Sequence, residues 1–138
     1  MAQGLHSLTI HTQKGNEVAF TLEDLDQLEQ SGFSTTTVWT EGVIEFTGVS
    51  LSKVLKAAGV EGSKLELTAL NDYAISVSIA DIGDELPLIA TRRDGEPMSV
   101  RDKGPFWVVY PFDSDRKYRT ESMYARSIWQ LHRISVVE

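Results

Sequence analysis

The sequence predicts a single α+β domain over residues 1–138, mainly β, with two or more short helices. Three observations carry this reading. Apolar and polar residues alternate over several short runs, as half-buried strands require. Two stretches instead place leucines at helical spacing behind a capping residue. Turn residues separate these runs at close intervals. With 138 residues, 41% of them hydrophobic and 24% charged, the chain can bury one core without disulfides and is short for two domains.

The elements follow in order. Met1 to Gly4 holds neither a charged nor a long apolar stretch, so no signal peptide is expected. Leu5 to Thr12 alternates as a strand, with His6 and His11 on opposite faces. Thr21 with Asp24 reads as a helix start. Leu22, Leu25 and Leu28 then share a face to about Gln30, with Gly32 as the stop. Ser34 to Thr40 is β-rich. Ser50 caps a second helix carrying Leu51, Val54, Leu55 and Ala58, ended by Gly59. Leu65 to Ala69 and Tyr73 to Ile79 read as strands joined by an Asn71-Asp72 turn. Leu86 to Thr91 and Phe106 to Tyr110 are short apolar runs, the second expected as a central strand. Arg93-Asp94-Gly95-Glu96 has hairpin-turn chemistry. Asp113 to Met123 is polar and irregular, and Ser127 to Val136 closes the chain as a strand. The longest apolar runs are a handful of residues, against the ~20 that a membrane-spanning helix needs.

Charge is distributed unevenly. The formal net charge is −7, which argues against nucleic acid or an anionic membrane as a partner. Residues 1–91 contain four lysines, no arginine and thirteen acids. All seven arginines lie between Arg92 and Arg133. Guanidinium forks suit phosphates and carboxylates, so this third of the chain reads either as an anion site or as a solvated rim paired with its own acids.

Familiar catalytic signatures are missing. The sequence has no phosphate-cradling glycine loop, no dinucleotide fingerprint, no HExxH and no nucleophile elbow. It contains no cysteine, which removes disulfides, thiol catalysis and every thiolate metal ligand. His6, His11 and His132 are too scattered to suggest a metal site, and no catalytic residue is assigned.

A series of short motifs does carry a resemblance. Thr36-Thr37-Val38-Trp39-Thr40 is followed by Phe46-Thr47-Gly48-Val49-Ser50-Leu51-Ser52-Lys53-Val54-Leu55 and Ala58-Gly59-Val60. Then come Ala69-Leu70-Asn71-Asp72-Tyr73-Ala74, the segment Asp94 to Pro105, Val109-Tyr110-Pro111 and Ser127-Ile128-Trp129-Gln130-Leu131. Over roughly residues 33–138 this resembles the molybdopterin-binding domain of the sulfite-oxidase type, and most of all its short single-domain members. The resemblance implies a compact, mainly β fold that holds a pterin in a groove between loops. The full enzymes bind molybdenum through a cysteine near the strand end that Val38-Trp39-Thr40 occupies. This chain offers no such thiolate, so a pterin or molybdopterin-like ligand without metal is expected.

The resemblance also implies site residues. Trp39 and Thr40 stand beside the missing metal ligand, and Trp39 would stack on the heterocycle, so that Trp39→Ala should weaken binding while the fold survives. Asp72 would accept from pterin N–H groups, or make an Asx turn. Tyr73 would bond the ligand or cap a core edge. Arg101 would hold its loop by pairing with Asp72 or Asp102. Arg119, Tyr124, Arg126 and Ser127 precede the last strand, where the family's loop approaches the pterin and its phosphate. Trp107 and Trp129 read as packing residues. The leading expectation is a non-catalytic pterin-binding sensor or accessory protein, acting with a signalling partner in the periplasm. The alternatives are a molybdenum-cofactor-dependent oxidoreductase and an interaction module whose ligand pocket is lost.

Overall fold

Alternation at the start of the chain buries Leu8 and Ile10 in strand β1 (Ser7–His11), in a computed structural model that describes residues 7–137. His6 and the opening Met1-Ala2-Gln3-Gly4 lie outside the described residues. A turn returns the chain as β2 (Glu17–Thr21), where Val18 and Phe20 alternate with the exposed Glu17, Ala19 and Thr21. Thr21 and Asp24 then form a reciprocal capping box at α1 (Leu22–Asp26). This helix ends earlier than the leucine spacing suggests. The Gln30 amide donates to the Leu25 and Leu28 carbonyls, both at 2.9 Å, and the chain turns into β3 (Ser31–Thr35). Gly32 is therefore no helix stop but a strand residue opposite Thr47, where a Cβ would press on the Phe46 carbonyl.

The β-rich run expected to Thr40 ends at Thr35, and residues 36–43 form an irregular connection into β4 (Ile44–Ser50). Ser50 caps α2 (Leu51–Ala58) and Gly59 ends it at φ 71°, as its sequence predicts. The helix buries Leu51, Val54 and Leu55, each contributing about 1.5–3 kcal/mol. Next come β5 (Lys64–Ala69), β6 (Ala74–Ser78), β7 (Leu88–Arg93) and β8 (Glu96–Pro97). The β7–β8 turn places Asp94 and Gly95 at positive φ, the conformation an Asp-Gly hairpin favours. Strand β9 is only Trp107–Val109. The polar segment after it holds two 3-10 turns and a third helix, α3 (Glu121–Arg126), capped by Thr120. The last strand, β10 (Leu131–Val137), starts later than expected because Ser127 to Gln130 is irregular, with Gln130 at φ 55°.

Two sheets result. One runs β2-β1-β10-β5-β6, with β1 and β10 parallel. The other runs β3-β4-β7-β8, with β9 pairing β7 beside that path. One core lies between the first sheet, α2 and one face of the second; Leu67, Ile134, Val54, Ile89 and Val108 belong to it. A second core gathers Phe46, Leu88, Ala90, Met98, Trp107 and Val109. Trp39, from the irregular connection, packs against both. No helix among the described residues is long and apolar enough to cross a membrane.

Two carboxylates tie distant segments together. Asp26 on α1 receives a bidentate fork from Arg92 on β7 at 2.8 and 3.0 Å. Asp113 accepts from the Thr36 amide at 2.8 Å and the Thr36 hydroxyl at 2.7 Å. The Arg92 hydrogen bonds hold Asp26 below the usual carboxylate range, and the Thr36 hydrogen bonds do the same for Asp113. A carboxyl lowered in the folded state adds stability above its ordinary value, and that contribution disappears as pH falls through the lowered one. Urea midpoints should therefore fall below about pH 4. Asp26→Asn and Asp113→Asn should each flatten that fall; an unchanged acid profile in both variants would show that these carboxylates do not set it.

Candidate functional site

Three segments meet around a cavity of about 350 Å³. The β3–β4 connection supplies Trp39, the β5–β6 turn supplies Asn71 and Tyr73, and the stretch from α3 into β10 supplies Tyr124, Ser127, Trp129 and Gln130. Local sequence explains each position. Asn71 Oδ1 accepts from the Tyr73 amide at 3.1 Å, and Asp72 takes φ 69°, so the turn lifts the Tyr73 ring to 50% exposure at the rim. The Thr37 hydroxyl accepts from the Trp39 amide at 3.1 Å, orienting the indole inward. Trp39 then meets Trp129, Tyr124, Phe112 and Trp107 edge-on, with ring centres 5.4–6.0 Å apart, the geometry aromatic quadrupoles prefer. Gln130 is fixed from two sides: its side-chain amide donates to the Val100 carbonyl at 2.8 Å and its backbone amide to the Lys103 carbonyl at 2.9 Å.

The expected site residues divide. Trp39, Tyr73, Tyr124 and Ser127 line the cavity. Ser127 is 1% exposed and its hydroxyl donates to the Met123 carbonyl at 2.8 Å, so that proton is already committed. Thr40 bonds the Thr37 hydroxyl at 2.7 Å within the β3–β4 connection and does not line the cavity. Asp72 is an exposed turn residue between two lining neighbours. Arg101 is exposed on a 3-10 turn, and no ion pair with Asp72 or Asp102 is formed among the described residues. Asp102 bonds Ser99 instead.

The two arginines expected to face an anionic tail do not line the cavity. The Arg119 guanidinium donates to the Phe112 carbonyl at 2.6 Å. Arg126 pairs with Asp81 at 3.5 Å and lies beside Tyr110, whose phenol is pushed up by burial and partly restored by that guanidinium. Trp107 is fully buried, as a packing residue should be, but Trp129 is a cavity wall. Trp129 sits in an irregular stretch, since the strand begins only at Leu131, and its ring packs on the second core while also walling the cavity. Asn71 and Gln130 also line the cavity, beside the expected Tyr73 and Ser127.

This set suits a flat nitrogen heterocycle. Indole and phenol rings offer faces, and the Asn71 and Gln130 amides offer edge donors and acceptors. The volume lies near the lower end of the ~300–1,000 Å³ usual for ligand pockets. A thiolate-bound molybdenum does not fit, because the chain has no cysteine. The cavity lining also contains no carboxylate or imidazole.

The family model for the oxidoreductase molybdopterin binding domain matches residues 2–113. The chain belongs to that family. The match begins ahead of the motif series noted from residue 33 and stops before α3, so the molybdopterin-binding domain's matched segment supplies Trp39, Asn71 and Tyr73 but not the Tyr124–Gln130 wall. Among solved structures, the chain is similar to the sulfane dehydrogenase SoxCD from Paracoccus pantotrophus, with a TM-score of 0.72 and 19% identity. That alignment covers 99% of this chain and 39% of the other. At that identity the likeness establishes the sulfite-oxidase-type fold of this molybdopterin-binding domain. No curated protein matches the sequence.

Proposed function

We propose that this chain binds a pterin in the aromatic cavity and signals its presence to a partner protein instead of turning over a substrate. The observation that carries the proposal is a cavity walled by Trp39, Tyr73, Tyr124 and Trp129 in a molybdopterin-binding domain that has no thiolate. Aromatic faces retain a heterocycle, whereas the ligand that fixes and tunes molybdenum in the full enzymes has no substitute in the lining. The signalling role and a periplasmic setting are supported by the resemblance to short family members.

Pterin binding can be read directly. Reduced and oxidised pterins should quench the protein's tryptophan emission on titration. Tyr73→Ala should weaken binding about tenfold, since a stacking ring contributes ~0.5–1.5 kcal/mol beyond the area it buries. Its half-exposed ring should leave stability nearly unchanged. Protein produced in a cofactor-competent host should contain no stoichiometric molybdenum by elemental analysis. Stoichiometric metal would favour the oxidoreductase reading, and absence of both pterin and metal would favour an interaction module.

A further inference from the structure

A strand at the end of a sheet carries unpaired backbone donors and acceptors, which proteins blunt with charge, proline, shortness or a cover. Three of the four sheet ends here are treated in that way. β2 carries the charge of Glu17. β3 is clasped at Thr35 and Thr36 by the Asp113 amide and carboxylate. β8 is only two residues long and includes Pro97. The fourth is β6, Ala74-Ile75-Ser76-Val77-Ser78, which ends the first sheet with neither charge nor proline.

The register shows which of its backbone groups are free. At the two ends of the β5–β6 pairing, the Ala69 amide donates to the Tyr73 carbonyl at 2.8 Å and the Ile79 amide to the Ser63 carbonyl at 2.9 Å. Bonded and non-bonded positions alternate along an antiparallel pair. Ile75 and Val77 therefore bond to β5, and the amides of Ala74, Ser76 and Ser78 point away from the sheet. Among the described residues no backbone partner meets those three amides. Ala74 and Ser76 are exposed. α3 lies on the core side of β6, with Tyr124 packed against the same core as Ile75.

We infer that β6 pairs antiparallel with β6 of a second copy of this chain, about a two-fold axis at Ser76. The strand is its own complement. Ser76 meets Ser76 of the second copy, Ala74 meets Ser78, and Ile75 meets Val77. Outward amides then face outward carbonyls, small Ala and Ser side chains oppose one another on the solvent face, and no charge within the strand is set against a like charge. The two five-stranded sheets become one continuous sheet. A two-fold contact of this kind consumes the edge in both copies, so association stops at the dimer. This pairing does not depend on what the cavity holds.

So short a ladder makes a small interface, and a dissociation constant of about 10–100 μM is expected. Sedimentation of the full chain across that range should show monomer giving way to dimer. Each copy carries a formal charge of −7, so added salt should tighten the dimer several-fold by screening that repulsion. Amide hydrogen exchange locates the contact: Ala74 and Ser76 should slow only as the dimer forms, whereas Ile75 and Val77 should be slow at every concentration. Ser76→Lys and Ser76→Glu should each weaken the dimer at least tenfold, because identical charges then face across the axis. An equimolar mixture of the two variants should restore it. A monomer at all concentrations, a dimer that leaves Ala74 and Ser76 exchanging freely, or a dimer indifferent to both substitutions would overturn the pairing. Urea midpoints confirm that the variants are folded, and the exchange measurement on the wild type requires no variant.

Discussion

Trp39→Ala is expected to cost the fold about 2–3 kcal/mol, less than the ~3–5 kcal/mol for a fully buried aromatic, because the indole is partly exposed and faces the cavity. The indole touches both cores and contacts four other rings edge-on. Its removal takes away edge contacts with Trp107, Phe112, Tyr124 and Trp129 and enlarges the cavity it borders. Net stabilities of domains this size are about 5–15 kcal/mol, so such a loss is a large share of the total. The weaker ligand binding expected of Trp39→Ala is therefore read beside its stability, since collapse of the wall would also remove binding. Trp39→Phe, which keeps a ring, should lose much less. Urea unfolding of both variants checks this, and a loss below about 1 kcal/mol in Trp39→Ala would place the indole outside the core.

Gly104→Ala should also be strongly damaging, costing about 3 kcal/mol. A Cβ at this position would overlap the Met98 carbonyl oxygen, its carbon and the Met98 side chain. Met98 is buried in the second core and cannot retreat freely. Main-chain contact also leaves no flexible side-chain tip to swing aside. The Gly104 amide donates to the Ser99 carbonyl at 2.8 Å, so displacing it would loosen the turn that carries Lys103. Gly83→Ala provides the control, because its Cβ would meet only the Leu86 carbonyl at an ordinary 3.6 Å. Equal urea midpoints for the two alanine variants would contradict the steric account.

How much of this was legible in the sequence depended on whether a signal was local. Helix α2 could be read completely, because Ser50, the Leu51/Val54/Leu55 face and Gly59 each act within one or two turns of chain. The Asp94-Gly95 and Asn71-Asp72 turns were equally local. Gly32 was misread because a helix stop and a close approach between strands call for the same residue; only the β3–β4 pairing distinguishes them. Helix α3 is a turn and a half long, too short for periodicity to reveal. At the site, Trp39, Tyr73 and Tyr124, each named by the resemblance, line one cavity. The arginines did not, since their partners, Asp81 and the Phe112 carbonyl, are brought to them by folding and leave no trace in the local pattern.

The parallel pairing of β1 with β10 sets the order in which this protein can be made. Thr9 lies in register with Arg133, and β10 is the strand that joins β1 to β5. During synthesis the β1–β2 hairpin and the β5–β6 hairpin can each form early, but they share no ladder until residues 131–137 leave the ribosome. Closing a loop of that length makes folding slow for the chain's size. Until it closes, β1 and β5 each present an unpaired edge of the kind that templates association between chains. A nascent chain stalled or clipped ahead of Leu131 would therefore be a more hazardous species than one missing an outer strand such as β8, and its handling by the cell would hinge on how quickly β10 follows.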